Sequence, residues 1–457
     1  MRIITKLPLT LGEIAFALQD SHKESEDQFI QAITTDSRKA EKGDLFIALN
    51  GDKSSGEDFI EEARQKGAYI LSAKFPQADF KVKDTGLALL NIAAYYKSKF
   101  NHLRHTVAIT GSVGKTTTKN ILFSMLSGFF KVQSTYANYN NCLGVAHTIL
   151  TMPKDTEILI LEMGMNHVGE ISLLSKNAKP SISVITNIGN AHVGNLGSRK
   201  SIAQAKLEIS DGMNNGKLIV PRDEELLKSA QNRLTFSCQN IEADCFAEMI
   251  AITKDFSVVN IKTKSFDLKE KTISLSGKHI VNAIAIGALI FEILGLSQEH
   301  LSKAIDRIGS DCLRASFVKR GKFNFYDDTY SSSPEALLAV FDMLALYKPQ
   351  KISCVLGDML ELGEKSTELH RQIGEKLFQY GFDKLFTFGM SAEHIANGAL
   401  SAGMSKNRIF RNSNASAPEI TAAQICSNCG SDEIILCKAS HSVHLDRIYN
   451  FIEKDCR

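Results

Sequence analysis

The stretch TGSVGKTT, Thr110 to Thr117, has the residue types that hold a nucleoside triphosphate. Gly111 and Gly114 let the backbone turn tightly and approach phosphate oxygens. Successive backbone N–H groups over Ser112, Val113 and Thr117, with the N-terminus of a following helix, then face the anion. Lys115 can reach the β- and γ-phosphates, and the Thr116 hydroxyl can ligate Mg²⁺. The strict loop pattern needs a further glycine five places before Gly114, where Ile109 stands. A Gly-Lys-Thr-Thr run can arise by chance in any loop. A β-rich run before it and a helical pattern after it favour the phosphate loop.

Other polar residues stand where α/β sheets place ligands, at the carboxyl ends of strands. Glu162 ends EILILE and is placed for Mg²⁺, or is an ordinary strand-end acid. His192 follows SISVITNIG and reads equally as a turn residue. Asn138, Asn140 and Asn141 in NYNNCLG also satisfy plain turn chemistry. Lys206 in IAQAKLEI lies on a predicted helix, as a counter-charge to a triphosphate or as a solvated lysine.

These residues need a scaffold. A chain of 457 residues exceeds one core, so two to four domains are expected. Continuous apolar runs such as EILILE and SISVIT suit central parallel strands covered on both faces. Strands alternating with helices from HTVAIT onward, and again from KFNFYDD to the end, predict α/β architecture with a Rossmann-type third sheet. Residues 240–275 alternate in FSVVNIKT and TISLSG, as an antiparallel flap would. The expected domains are 1–82, 83–311 and 312–457.

Composition excludes several classes. The formal net charge is +2 with no basic block, which argues against nucleic-acid or acidic-membrane binding. The apolar run VNAIAIGALIFEILGL is too short to span a bilayer and contains Asn282 and Glu292, so it reads as a buried helix. Glu13 interrupts the N-terminal apolar stretch, which reads as a helix starting near Thr10 rather than a signal peptide. Nine irregularly spaced cysteines fit free thiols in a reducing compartment, and CSNC lacks a second pair at zinc spacing. A cytoplasmic location follows as an expectation.

Taken together, TGSVGKTTTK, NYNN with LG, EMGMNHVGEIS, NIGNAHVGNLGS, AKLEI, SGKHIVNA, YDDTYSSSP and GDMLELGEKSTELH resemble the Mur ligases, ATP-dependent amide-forming enzymes of peptidoglycan synthesis. The short phosphate loop is that family's own variant. The resemblance runs from about Thr35 to the C-terminus. It implies a small α/β UDP-binding domain, a central P-loop ATPase domain and a C-terminal Rossmann-like domain. With the N-terminal TTDSRKAEKGDLFIALNG, it points most to the branch that joins D-Ala-D-Ala to UDP-muramyl tripeptide.

The resemblance also implies roles. Ser37 and Arg38 would hold the uridine part of the substrate. Thr116 and Glu162 would ligate one Mg²⁺, with His192 near a second. Lys206 matches a lysine that family members carry as a carbamate, which turns a repelling ammonium into a metal ligand. Lys115, Lys206 and His192 would thus serve catalysis. Asn282, with His279 nearby, would contact the adenine, and Arg314 and Asp328 would clamp ATP, Asp328 through the ribose. Tyr330 and the three asparagines would face substrate. Partners would be the small-molecule substrates UDP-muramyl tripeptide and D-Ala-D-Ala, on which a monomer acts without nucleic acid or stable membrane insertion.

Three positions depart from the family pattern. YSSSP, Tyr330 to Pro334, replaces Tyr-Asn-Ala-Asn-Pro; KASH ends in His441 where arginine is usual; Ala146 stands for proline. The first two fall near where the amine should bind. The ligase adding a diamino acid one step earlier, folylpolyglutamate synthase, a P-loop switch and a non-catalytic precursor-binding protein are the rivals. The DSRK…GDLFIAL domain disfavours the folate enzyme, and Glu162, His192 and Lys206 together disfavour a switch.

Overall fold

The computed structural model describes residues 1–20, 27–51 and 54–455. The chain divides into two compact units. The first comprises Met1–Thr110, Leu126–Val184 and Ala205–Leu218, and the second Gly111–Met125, Ile185–Gln204 and Ile219–Arg457.

The first unit opens with a five-stranded sheet ordered Arg2–Ile3, Ile33–Thr34, Leu45–Ile47, Tyr69–Ser72, Phe80–Lys81. Its first pair is antiparallel and the rest parallel. The helix expected near Thr10 is Leu11–Leu18. Thr10 and Glu13 form a reciprocal capping box there, satisfying two N–H groups that a helix start leaves open. The same unit holds strands in the order Ile182–Ile185, His105–Thr110, Ile158–Glu162, Val132–Ser134. Ile158–Glu162 runs parallel to both neighbours and is buried along its whole length, as its unbroken apolar run predicts.

In the second unit, strand Arg233–Ser237 pairs parallel with Cys245–Ile252, which continues antiparallel through Ser257–Lys262 and Asp267–Ile273. This is the expected flap. Helix Lys278–Ile293 is buried on nearly every face, which explains its uninterrupted apolar sequence. The third sheet is ordered Ser316–Arg320, Phe323–Asp328, Ile434–Lys438, Ile352–Gly357, Lys384–Phe388, Ile409–Phe410. All but the first pair are parallel. Asp328 and Lys438 are register partners at adjacent carboxyl ends. Phe323, Phe325, Val355, Phe386, Ile435 and Ile448 join in its core.

One expectation needs correction. Among the described residues seven cysteines are free, but Cys426 is disulfide-bonded. Spacing in the chain cannot show which thiols a fold brings together.

Candidate active site

The phosphate loop and the segment after strand Ile182–Ile185 are built as one piece in the second unit. Helix Lys115–Leu126 begins at the loop lysine. Gly111 has φ +152°, a conformation side chains rarely adopt, and a Cβ there would overlap the Thr186 hydroxyl. Thr186 Oγ1 donates to the Val113 carbonyl at 2.6 Å. Asn187 Oδ1 accepts from the N–H groups of Ser112 (3.0 Å) and Val113 (2.9 Å). Gly189 N–H donates to Ser112 Oγ at 2.9 Å. Lys115 Nζ donates to the Gly111 carbonyl at 2.8 Å, folding the side chain along the loop. Sequence reasoning missed Thr186 and Asn187. Their only signal was position, directly after a buried strand.

His192, in the left-handed region at φ 66°, caps the short helix Val193–Leu196, and its Nδ1 pairs with Glu361 of GDMLELGE. The Gly194 N–H donates to the Glu361 carbonyl at 2.8 Å.

Arg314 donates to the Thr116 hydroxyl, and its guanidinium lies 4.1 Å from the centre of the Tyr330 ring. Tyr330 stacks on His441, centroids 5.0 Å apart and planes at 27°. Lys438, 2% exposed, donates to Asp328 Oδ2 and to the Ser331 carbonyl, both at 2.6 Å. Asp328 is therefore paired by the KASH lysine, a partner the sequence reading did not assign. Asn282 Oδ1 accepts from Cys238 Sγ at 2.9 Å. Burial pushes that thiol up to about 12, which keeps its proton in place for the bond. Burial holds the neighbouring His279 below its usual range, partly offset by the charge of Asp328.

In the first unit, Glu162 is almost fully buried. Asn140 Nδ2 donates to its carboxylate at 2.8 Å, and its own N–H donates to Thr135 Oγ1 at 2.9 Å. It is not the surface acid that a strand end commonly carries. Of the three asparagines, Asn140 bonds Glu162. Asn141 caps helix Cys142–Leu150 through Gly144 N–H, and the Asn138 carbonyl accepts from Asn140 N–H, both turn roles. Lys206, on helix Arg199–Leu207, is nearly fully buried. Ser37 is buried and donates to Glu62 Oε2 at 2.6 Å. Arg38 is exposed and pairs with Asp36, holding that carboxyl down at about 2.

A glycine loop at a helix start, with acidic and basic groups gathered at the carboxyl ends of parallel strands, defines a P-loop α/β protein. Three family models refine that class. The Mur ligase middle domain matches residues 109–290, the Mur ligase glutamate ligase domain 313–441, and the Mur ligase family catalytic domain 29–95. A UDP-N-acetylmuramoyl-tripeptide–D-alanyl-D-alanine ligase of Bacillus subtilis (strain 168) is 34% identical over 446 residues, covering 93% of each chain. The chain belongs to the Mur ligase family.

Solved structures agree. A crystal structure of MurF from Acinetobacter baumannii superposes with a TM-score of 0.87 at 27% identity, covering 98% of this chain and 99% of that one. The MurF ligase of Thermotoga maritima in complex with ADP gives 0.79 at 29%, covering 93% and 97%. Among the described residues no helix is long and apolar enough to cross a membrane.

Proposed function

We propose that this chain uses ATP to join D-alanyl-D-alanine to UDP-N-acetylmuramoyl-tripeptide, giving UDP-N-acetylmuramoyl-pentapeptide, ADP and phosphate in peptidoglycan synthesis. The observation that carries this reading is whole-length similarity to a ligase of that name, across 93% of both chains. Matches to all three family models support it, and domain boundaries near residues 82 and 311 are proposed with it.

A carboxylate is a poor electrophile. Its oxygen therefore attacks the γ-phosphorus of ATP, ADP leaves, and an acyl phosphate forms. The amine of the dipeptide attacks the acyl carbon, the tetrahedral intermediate collapses, and phosphate leaves with the C–O bonding pair. Lys115 and Arg314 neutralise charge on the phosphates as it shifts. Asn282 and Asp328 would hold the adenine and ribose, and Ser37 and Arg38 the uridine end. Arg38 offers an exposed fork of donors, whereas the Ser37 hydroxyl is already committed to Glu62. Tyr330, Asn138, Asn140 and Asn141 would line the substrate.

The buried Glu162 carboxylate is a hard oxygen donor of the kind Mg²⁺ takes, and the Thr116 hydroxyl is another. His192 and Lys206 complete the proposed set for two ions. Mg²⁺, when bound, supplies charge neutralisation on the triphosphate. A carbamate on the buried Lys206 would replace an ammonium that repels Mg²⁺ with an anionic oxygen ligand. Lys206→Ala should lose at least tenfold in activity, roughly the weight of one positioned charge. It should partly regain activity with added short carboxylic acids, and absence of rescue would leave no carbamate role. A cytoplasmic monomer acting on small molecules completes the proposal.

Incubation with ATP, UDP-muramyl tripeptide and D-Ala-D-Ala should yield a product heavier by the dipeptide less one water. Unchanged tripeptide mass in the presence of ATP hydrolysis would sink the assignment.

A further inference from the structure

The turn that departs from the family pattern connects to the phosphate loop through an intervening residue at each of its ends. At one end Tyr330 lies beneath Arg314, which donates to Thr116. At the other end is Glu335, at the start of helix Pro334–Ala345, whose first turn is fixed by the Ser333 cap on Ala336 N–H. Glu335 Oε1 accepts two hydrogen bonds from one residue, the N–H and the Nδ2 of Asn190, both at 2.8 Å. Its Oε2 is buried without a hydrogen-bond partner among the described residues. A carboxylate held this way spends its charge on Asn190.

Asn190 continues the segment that carries the loop. Asn187 holds Ser112 and Val113, and Gly189 donates to Ser112. A Cβ at Gly189 would come within 2.9 Å of the Glu335 carboxyl carbon, so a bare backbone is what admits the carboxylate. Glu335 thus stands one residue from a direct hydrogen bond to the phosphate loop.

We propose that Glu335 is a positioning residue that, through Asn190, sets the 187–189 segment beneath the phosphate loop and so fixes the strength of nucleotide binding. The inference rests on the proposed use of ATP.

The test is titration of the full chain with ADP, together with KM for ATP and kcat in the dipeptide-dependent reaction. Glu335→Ala removes both hydrogen bonds. It should raise the ADP Kd and the ATP KM about five- to twentyfold, the weight of two bonds to a charged acceptor. At saturating ATP, kcat should change less than about twofold, a split that general loosening of the fold would not produce. Glu335→Gln keeps an oxygen where Oε1 accepts and should restore ADP binding to within about threefold of the parent. Asn190→Ala combined with Glu335→Ala should be no worse than Glu335→Ala alone, because both act through one contact. If Glu335→Ala fails to fold, Asn190→Ala alone carries the test, with a Kd raised about threefold.

Unchanged ADP affinity in these variants, or losses that simply add, would overturn the inference and leave the function standing. A parent protein that binds no ADP would overturn the function itself.

Discussion

The phosphate loop and the carboxyl ends of the third sheet handle the same proposed ligand by different means. The loop works through backbone. Gly111 takes a conformation other residues avoid, and Asn187 ties down two of the loop's N–H groups. The third sheet works through side chains from distant parts of the chain: Asp328 on Lys438, Arg314 over Tyr330, Tyr330 on His441. Backbone devices tolerate few substitutions, so the loop keeps its family spelling. Side-chain networks can be rebuilt by paired exchanges. The two departures, YSSSP and KASH, meet in one stack, where a flat histidine ring lies against the tyrosine. An arginine already occupies the vicinity of that tyrosine, so an imidazole at 441 avoids placing a second guanidinium beside it.

The largest expected effect falls on the side-chain region. Lys438→Met should cost about 3–5 kcal/mol of stability in urea unfolding, because it strands the Asp328 carboxylate beside an apolar chain. An unchanged midpoint would contradict a buried pair. Next comes the loop. Gly111→Ala should reduce dipeptide-dependent phosphate release by about a hundredfold, equal to roughly 2.7 kcal/mol. Adding Thr186→Ala should recover part of that loss by removing the overlapping hydroxyl; no recovery would assign the defect to backbone strain alone. Smaller still, His441→Ala should raise the ATP KM about fivefold through loss of a stack worth about 1 kcal/mol. The smallest effect belongs to His441→Phe, which keeps a ring against Tyr330 and should stay within about twofold of the parent. Equal losses for alanine and phenylalanine would show that the ring nitrogens matter and the stack does not.

The contrast also governs what the sequence makes legible. Glycine spacing, alternation in 240–275 and unbroken apolar strands are local signals, and the loop, the flap and the buried strands follow from them. Glu162 was legible as a strand end, but its burial and its bond to Asn140 were not, since the turn and the strand are 22 residues apart. The three asparagines look alike in sequence, yet one meets a carboxylate and another caps a helix. Asn187 sits 75 residues from the N–H group of Ser112 that it satisfies, and Asp328 sits 110 from Lys438. No period in the chain encodes pairings of that length; they depend on sheet order. Cys238, adjacent to Asn282 in space, is likewise invisible as a partner until the flap is folded.

The chain is a dipeptide-adding ligase with a rebuilt side-chain network at the third sheet. Phosphate release from ATP with UDP-muramyl tripeptide, measured with and without D-Ala-D-Ala, tests it most directly. Release should require the dipeptide. No release under those conditions, with release on supplying UDP-muramyl dipeptide and a diamino acid, would contradict it.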